Sequence, residues 1–155
     1  MSAPNPDRLR LVMLGTRGVP ARYGGFETAV EEVGRRLASR GHQVLVYSRN
    51  PEPAVPLPAR YLGMRVVELP ALKKRSLETL SHTAHSVEHL LNRRHPDVAI
   101  VFNAANALFL PALRAARIPV ATHVDGLEWR RGKWGPAGKR YYRAAEVNQD
   151  RKSVV

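Results

Sequence analysis

The sequence predicts a single α/β domain built on a parallel sheet with helices flanking it. Three observations carry this. Short apolar runs at residues 9–14, 43–48, 64–69, 97–102 and 120–124 have the length and character of strands buried on both faces. Segments with helical periodicity separate them. The chain has 155 residues, the size of one domain, and 44% of them are hydrophobic, enough for a core. Strands alternating with helices close a parallel sheet through right-handed crossovers.

The first run, 9–14, ends at Gly15, and residues 15–25 hold four glycines and a proline, so they form a loop. Phe26, Val30, Val33 and Leu37 then recur at helical spacing, with Glu31, Glu32, Arg35 and Arg36 on other faces and Gly41 as the stop. Residues 43–48 form the second strand. Residues 50–60 carry four prolines and read as loop. The third strand, 64–69, is ended by Pro70. A helix spans 76–93 with Ser76 as its N-cap. The strand 97–102 is followed by a short helix, 106–116, that Pro111 is expected to kink. After the fifth strand, 126–138 is irregular and a further helix begins at 139. No internal repeat is evident.

Twenty-five Lys and Arg stand against 13 Asp and Glu, for a formal charge of +12. That favours phosphate-bearing partners, whether nucleotides, nucleic acid or anionic lipid. Arg-rich composition also accompanies high-GC genomes, so charge alone selects none of them. There is no cysteine, which excludes disulfides and thiolate metal sites. No run of about 18 apolar residues is present, and residues 1–8 are polar, unlike a signal peptide. The expectation is a cytoplasmic protein.

Ligands of open parallel sheets sit beyond the carboxyl ends of the strands. Here that edge comprises residues 15–25, Ser48, Arg49, Asn103 and 125–129. The turn from Gly15 to Glu27 is its most informative part. Backbone N–H groups at a helix start can bind phosphate or carboxylate. Gly24 and Gly25 let a ligand approach the backbone, and Arg17 and Arg22 can add charge-assisted bonds. Alternatively the glycines only make a tight turn and Glu27 only complements the helix dipole. G-x-G-x-x-G is absent, and the second strand ends in Tyr47, Ser48 and Arg49 with no acid to hold a ribose. No Gly-Lys-Ser/Thr follows either. These absences argue against a dehydrogenase and a P-loop ATPase.

The stretch Gly-Thr-Arg-Gly-Val-Pro-Ala-Arg-Tyr-Gly-Gly-Phe-Glu-Thr at 15–28 resembles the first loop of family 4 glycosyltransferases of the GT-B fold. Leu-Glu-Thr-Leu-Ser-His at 77–82, Asn-Ala-Ala-Asn-Ala at 103–107 and Val-Asp-Gly-Leu-Glu-Trp at 124–129 resemble a bacterial, rhamnosyltransferase-like subgroup. The likeness covers residues 9–146. It implies a Rossmann-like N-terminal half of a GT-B enzyme, which mainly binds acceptor, while the second half holds most of the nucleotide-sugar donor. It implies a retaining hexosyltransferase acting on a cell-surface polysaccharide or glycolipid, needing neither cofactor nor bound metal. The loop around Gly24 and Gly25 would close on the donor diphosphate, with Arg17, Tyr23 and Glu27 beside it. Asn103, Glu128 and Trp129 would contact substrate. Many members carry a histidine after the fifth strand; here that place holds Asp125, the candidate catalytic residue, and His123 lies two residues earlier.

The resemblance further implies a chain that is half of an enzyme. Residues 1–146 would be the acceptor-side domain, incomplete at its end, and the donor-binding domain with its Glu-x7-Glu signature would be missing. Residues 147–155 depart from the family. Their end, Asp-Arg-Lys-Ser-Val-Val at 150–155, resembles translated sequencing-adapter DNA, so 147–155 is expected to be non-native or disordered. The partners expected are a nucleotide-sugar donor, a glycan or lipid-linked acceptor and the missing domain, with peripheral association at the inner face of the membrane and no specific nucleic acid.

Other features are weaker. His82, His85 and His89 share a helical stripe, which raises a metal site. No carboxylate ligand motif accompanies them, so they are read as helix-surface or cleft residues. Trp129, Lys133 and Trp134 with Arg130 and Arg131 could stack on a sugar, touch lipid headgroups or bind single-stranded nucleic acid, or simply pack as a surface loop. Asn103 could bond an acceptor hydroxyl or cap the next helix. The rival class is a non-catalytic basic α/β domain that binds phosphate, nucleotide or nucleic acid, the last with steep salt dependence.

Overall fold

The structure is a computed structural model that describes residues 7–22, 24–74, 77–93, 95–124, 136–137 and 140. Within them a six-stranded sheet has the order β3-β4-β2-β1-β5-β6. The strands are β1 (Arg10–Leu14), β2 (Gln43–Ser48), β3 (Arg60–Tyr61), β4 (Met64–Glu68), β5 (Val98–Phe102) and β6 (Val120–His123). All neighbours pair in parallel except β3 with β4. The helices are α1 (Gly25–Ser39), α2 (Glu78–Leu91) and α3 (Leu110–Ala115), the last preceded by a 3-10 segment, Ala104–Phe109. The Rossmann-like class expected from the sequence is the class observed.

The central strand β1 shows why an unbroken apolar run is needed. Leu11 and Met13 face one core with Val30 of α1, Val44, Val46 and Met64. Val12 and Leu14 point the other way, into a core with Val87 and Leu90 of α2 and Leu110 and Leu113 around α3. Side chains alternate along a strand, so covering both faces makes every position apolar. Each large side chain buried this way contributes roughly 1.5–3 kcal/mol. At the amino end, Arg10 and Asp97 join β1 to β5. The Arg10 N–H donates to Asp97 at 2.7 Å, and the guanidinium reaches the same carboxylate at 3.0 Å. The Asp97 N–H donates in return to the Arg10 carbonyl at 2.8 Å.

Four expectations change. The prolines of 50–60 mark loop, but its end forms β3, a two-residue edge strand folded onto β4. Its turn places Leu62 at φ 48° and Gly63 at φ 82°. Two consecutive positive φ values are the signature of a type I′ hairpin, and leucine is an unusual residue for the first. Pro111 does not kink a helix: it sits in the first turn of α3, where its missing N–H costs nothing. The segment read as one helix over 106–116 is instead a 3-10 turn followed by α3. Helix α2 begins at Glu78 with Leu77 as its cap residue, and Ser76 lies outside the described residues.

Chain order reverses between β1 and β5, because β1 leads through α1 to β2 while α2 carries the chain from β4 across to β5. The carboxyl ends of these two strands meet closely. A Cβ on Gly15, which has φ +97°, would lie 2.3 Å from the Phe102 carbonyl oxygen and 2.6 Å from Asn106 Nδ2. The Asn106 amide bridges them, donating to the Gly15 carbonyl at 3.2 Å and the Phe102 carbonyl at 2.8 Å. Gly15→Ala should therefore cost about 3 kcal/mol or more, from strained backbone plus the clash. Urea unfolding checks this, and a variant as stable as the parent would refute the close approach.

Candidate functional site

The loop after β1 is held from inside. Ser48, fully buried at the end of β2, accepts from the Val19 N–H at 3.0 Å. Thr16 Oγ1 accepts from the Gly18 N–H at 2.9 Å, and a Cβ on Gly18 would lie 2.1 Å from Ser48 Oγ. Two carboxylates of α1 reach back to the loop: Glu27 accepts from the Arg17 N–H at 3.1 Å, and Glu31 from the Ala21 N–H at 2.8 Å. The Arg17 carbonyl accepts from the Arg49 N–H at 2.9 Å. The Val19–Pro20 peptide is cis. The loop is thus a shaped wall whose own N–H groups are largely occupied.

The helix start behaves differently. Gly24 is the cap residue of α1 and offers no side chain to the first-turn N–H groups. Both Gly24 and Gly25 are exposed, and a Cβ on Gly25 would meet nothing within 4 Å. The positive end of a fifteen-residue helix therefore opens outward at Gly25, while at Gly24 the helix's own Glu27 carboxylate lies close by, 2.6 Å from where a Cβ would stand. Phe26 anchors this end, its ring edge-on to Phe102 at 6.4 Å and to His123 at 5.7 Å. That contact brings the α1 start beside the ends of β5 and β6. Asn103 follows β5 there with φ 71°. Its Oδ1 accepts from the Ala105 N–H at 3.1 Å, so it caps the 3-10 segment. An Asn with such a φ is uncommon and stores strain at this rim.

Beside the loop lies an open cavity of about 980 Å³, bounded by the segments after β1, β2 and β4. Arg17 and Glu27 belong to its wall as well as to the loop. Arg49 is its deepest cation. Its side chain is 10% exposed and pairs with Glu78 at the start of α2 at 3.1 Å. Burial pushes its pKa down, against the attraction of Glu78. Arg22 pairs with Glu52 across the mouth at 3.3 Å.

Residues 24–148 match the family model of the glycosyl transferase 4-like domain. The chain belongs to this family. No curated protein matches the sequence. This glycosyl transferase 4-like domain is thereby a glycosyl-transfer module, whose substrates are a sugar donor and an acceptor in general terms. The structure gathers Arg17, Gly24, Gly25 and Glu27 at one edge and sets Asn103 on the neighbouring strand end. Tyr23, Asp125, Glu128 and Trp129 lie outside the described residues. Among the described residues no helix is long and apolar enough to cross a membrane, and no three His, Asp or Glu side chains cluster as metal ligands.

Sequence reasoning placed the α2 histidines at the helix surface or in a cleft, and His82 corrects it. His82 is 1% exposed, buried in the domain close enough to Arg49 to feel its charge. His89 instead meets the Tyr47 hydroxyl, its Nδ1 at 2.9 Å, and burial raises that hydroxyl's pKa to about 12. His85 is exposed. Neither His82 ring nitrogen completes a well-aligned hydrogen bond with a described residue. The nearby Ser48 backbone favours the charged ring, but burial, then Arg49, outweigh it and pull the pKa down to about 4. Position after the second strand places Arg49 on this edge, but its burial and its pairing with Glu78 are not legible in the sequence, and neither is the packing of His82 and Asn106, which depends on the fold.

A pH dependence follows. The unfolded chain protonates His82 below pH 6.5, the folded chain only below about 4. Between those values the unfolded state binds more protons, so stability falls as pH falls and is insensitive to His82 above 6.5. The slope is about 1.4 kcal/mol per pH unit from this one group. Urea midpoints from pH 7 to 4.5 should show the decline, and His82→Leu should flatten it. An unchanged slope in that variant would refute the assignment.

Proposed function

We propose that this domain is the acceptor-side half of a retaining glycosyltransferase. It transfers a sugar from a nucleotide-sugar donor to a cell-surface polysaccharide or glycolipid acceptor. The observation that carries the reading is the uncapped, exposed α1 start at Gly24 and Gly25 on the carboxyl edge of the sheet. Its partial positive charge suits the donor diphosphate, and Arg17 adds a cation. Asn103, Asp125 and Glu128 face the acceptor in this reading, with Asp125 in the place of the family histidine and Trp129 in contact with substrate. Tyr23 and Glu27 complete the donor-facing loop. Transfer then depends on positioning and on electrostatic stabilisation of the leaving diphosphate. The net charge of +12 suits a cytoplasmic domain that associates peripherally with an anionic membrane face.

Two outcomes test this. The 155-residue chain alone should transfer no sugar from any of a panel of nucleotide sugars, and transfer should appear when it is joined to a donor-binding second domain. Turnover by the chain alone would refute the half-enzyme reading. The Cβ that Gly25→Val adds meets no atom within 4 Å at an exposed position, so the melting temperature should change little. The substitution should nevertheless cut transfer by the joined enzyme at least about tenfold, by blocking close approach of the diphosphate. Unimpaired transfer in Gly25→Val would remove the helix start from the donor site.

A further inference from the structure

The cavity beside the loop is distinct from the α1 start, although Arg17 and Glu27 border both. Its wall combines cations with apolar surface from Val19, Pro20, Leu57 and Leu69. The carboxylates around it already have protein donors. Glu27 takes the Arg17 N–H, Glu52 takes Arg22 and Glu78 takes Arg49. Glu68 accepts from Asn50 Nδ2 at 3.2 Å and from the Leu57 N–H at 3.4 Å.

The cations are not matched in the same way. Among the described residues no carboxylate lies within ion-pairing distance of the Arg17 or Lys73 side chains. Arg49 is nine-tenths buried, and its Nε is sealed from solvent with no hydrogen-bond partner. A guanidinium has five N–H donors in a rigid fork, and a buried donor left unmade is costly. A single half-exposed carboxylate, Glu78, does not satisfy it. Nε itself is out of a ligand's reach, so an oxyanion entering the cavity would meet the cavity-lining remainder of the guanidinium.

We propose that the cavity is an anion subsite, in which Arg49, with Lys73 outside it, holds a carboxylate or phosphate ester on the acceptor. Bidentate oxyanion recognition suits arginine, and the apolar wall takes the body of the ligand. This rests on the acceptor-side reading and narrows the acceptor to an acidic one. Glu78 acts as a competitor that holds Arg49 in place while the cavity is empty of ligand.

Amide chemical shifts of the labelled 155-residue chain, titrated with galacturonate, galactose 1-phosphate and galactose, test it. The two acidic sugars should shift Arg49, Asn50 and Ala71, and galactose should not. Arg49→Gln should weaken binding by about tenfold or more, and Arg49→Lys should recover part of it. Glu78→Gln should tighten binding, which a purely structural Arg49–Glu78 pair would not do. Galactose binding as well as its acids, shifts confined to Gly25–Glu27, or a Glu78→Gln variant with unchanged affinity would overturn the proposal. If acidic sugars bind here and the joined enzyme transfers nothing, the glycosyl-transfer reading fails while the anion site stands.

Discussion

The carboxyl ends of β1 and β5 approach too closely for any side chain to stand between them. Gly15 makes that approach possible, and the Asn106 amide fastens the two carbonyls it brings together. Everything ligand-facing hangs from this junction. The loop leaves it toward Ser48, α1 starts where the loop ends, and Phe26 returns to set its ring edge-on to Phe102. Chain order reverses at the same place, which is where an open parallel sheet naturally leaves a crevice.

Two electrostatic environments share the edge. At the α1 start, peptide dipoles supply a partial positive charge that is fixed in space and open to solvent. At the end of β2 the charge belongs to Arg49, largely buried, with a neutral His82 near enough to feel it. Burial strengthens any interaction Arg49 makes and penalises leaving it unpaired. His82 stays neutral because the same burial and the same arginine oppose its protonation. The cost is sensitivity to acid, confined to a small set of contacts under the site.

Local pattern made most elements legible. β2 falls on the residues its apolar run marks, and β1, β4, β5 and β6 differ from expectation by one residue at an end. β3 escaped because its turn uses leucine rather than Asn or Asp at a positive φ, which removes the usual hairpin signal. The inward face of α2 escaped for a different reason. Its buried residues are His82, Thr83, Ser86, Val87 and Leu90, so polar side chains occupy positions a periodicity argument assigns to solvent.

The amino-acid order by itself determined the α/β class, the sequence of strands and helices, and the glycine-rich turn at the sheet's carboxyl edge. Those depend on periods of a few residues and on glycine and proline chemistry. Tertiary structure decided which groups are buried there and what they touch. Asn106 reaches Gly15 across 91 positions, Val19 reaches Ser48 across 29, and Arg49 meets Glu78 only because α2 starts against the end of β2. Such contacts are set by sheet order and register, which no local pattern encodes, and they separate an open helix start from an occupied loop and a buried cation from a solvated one.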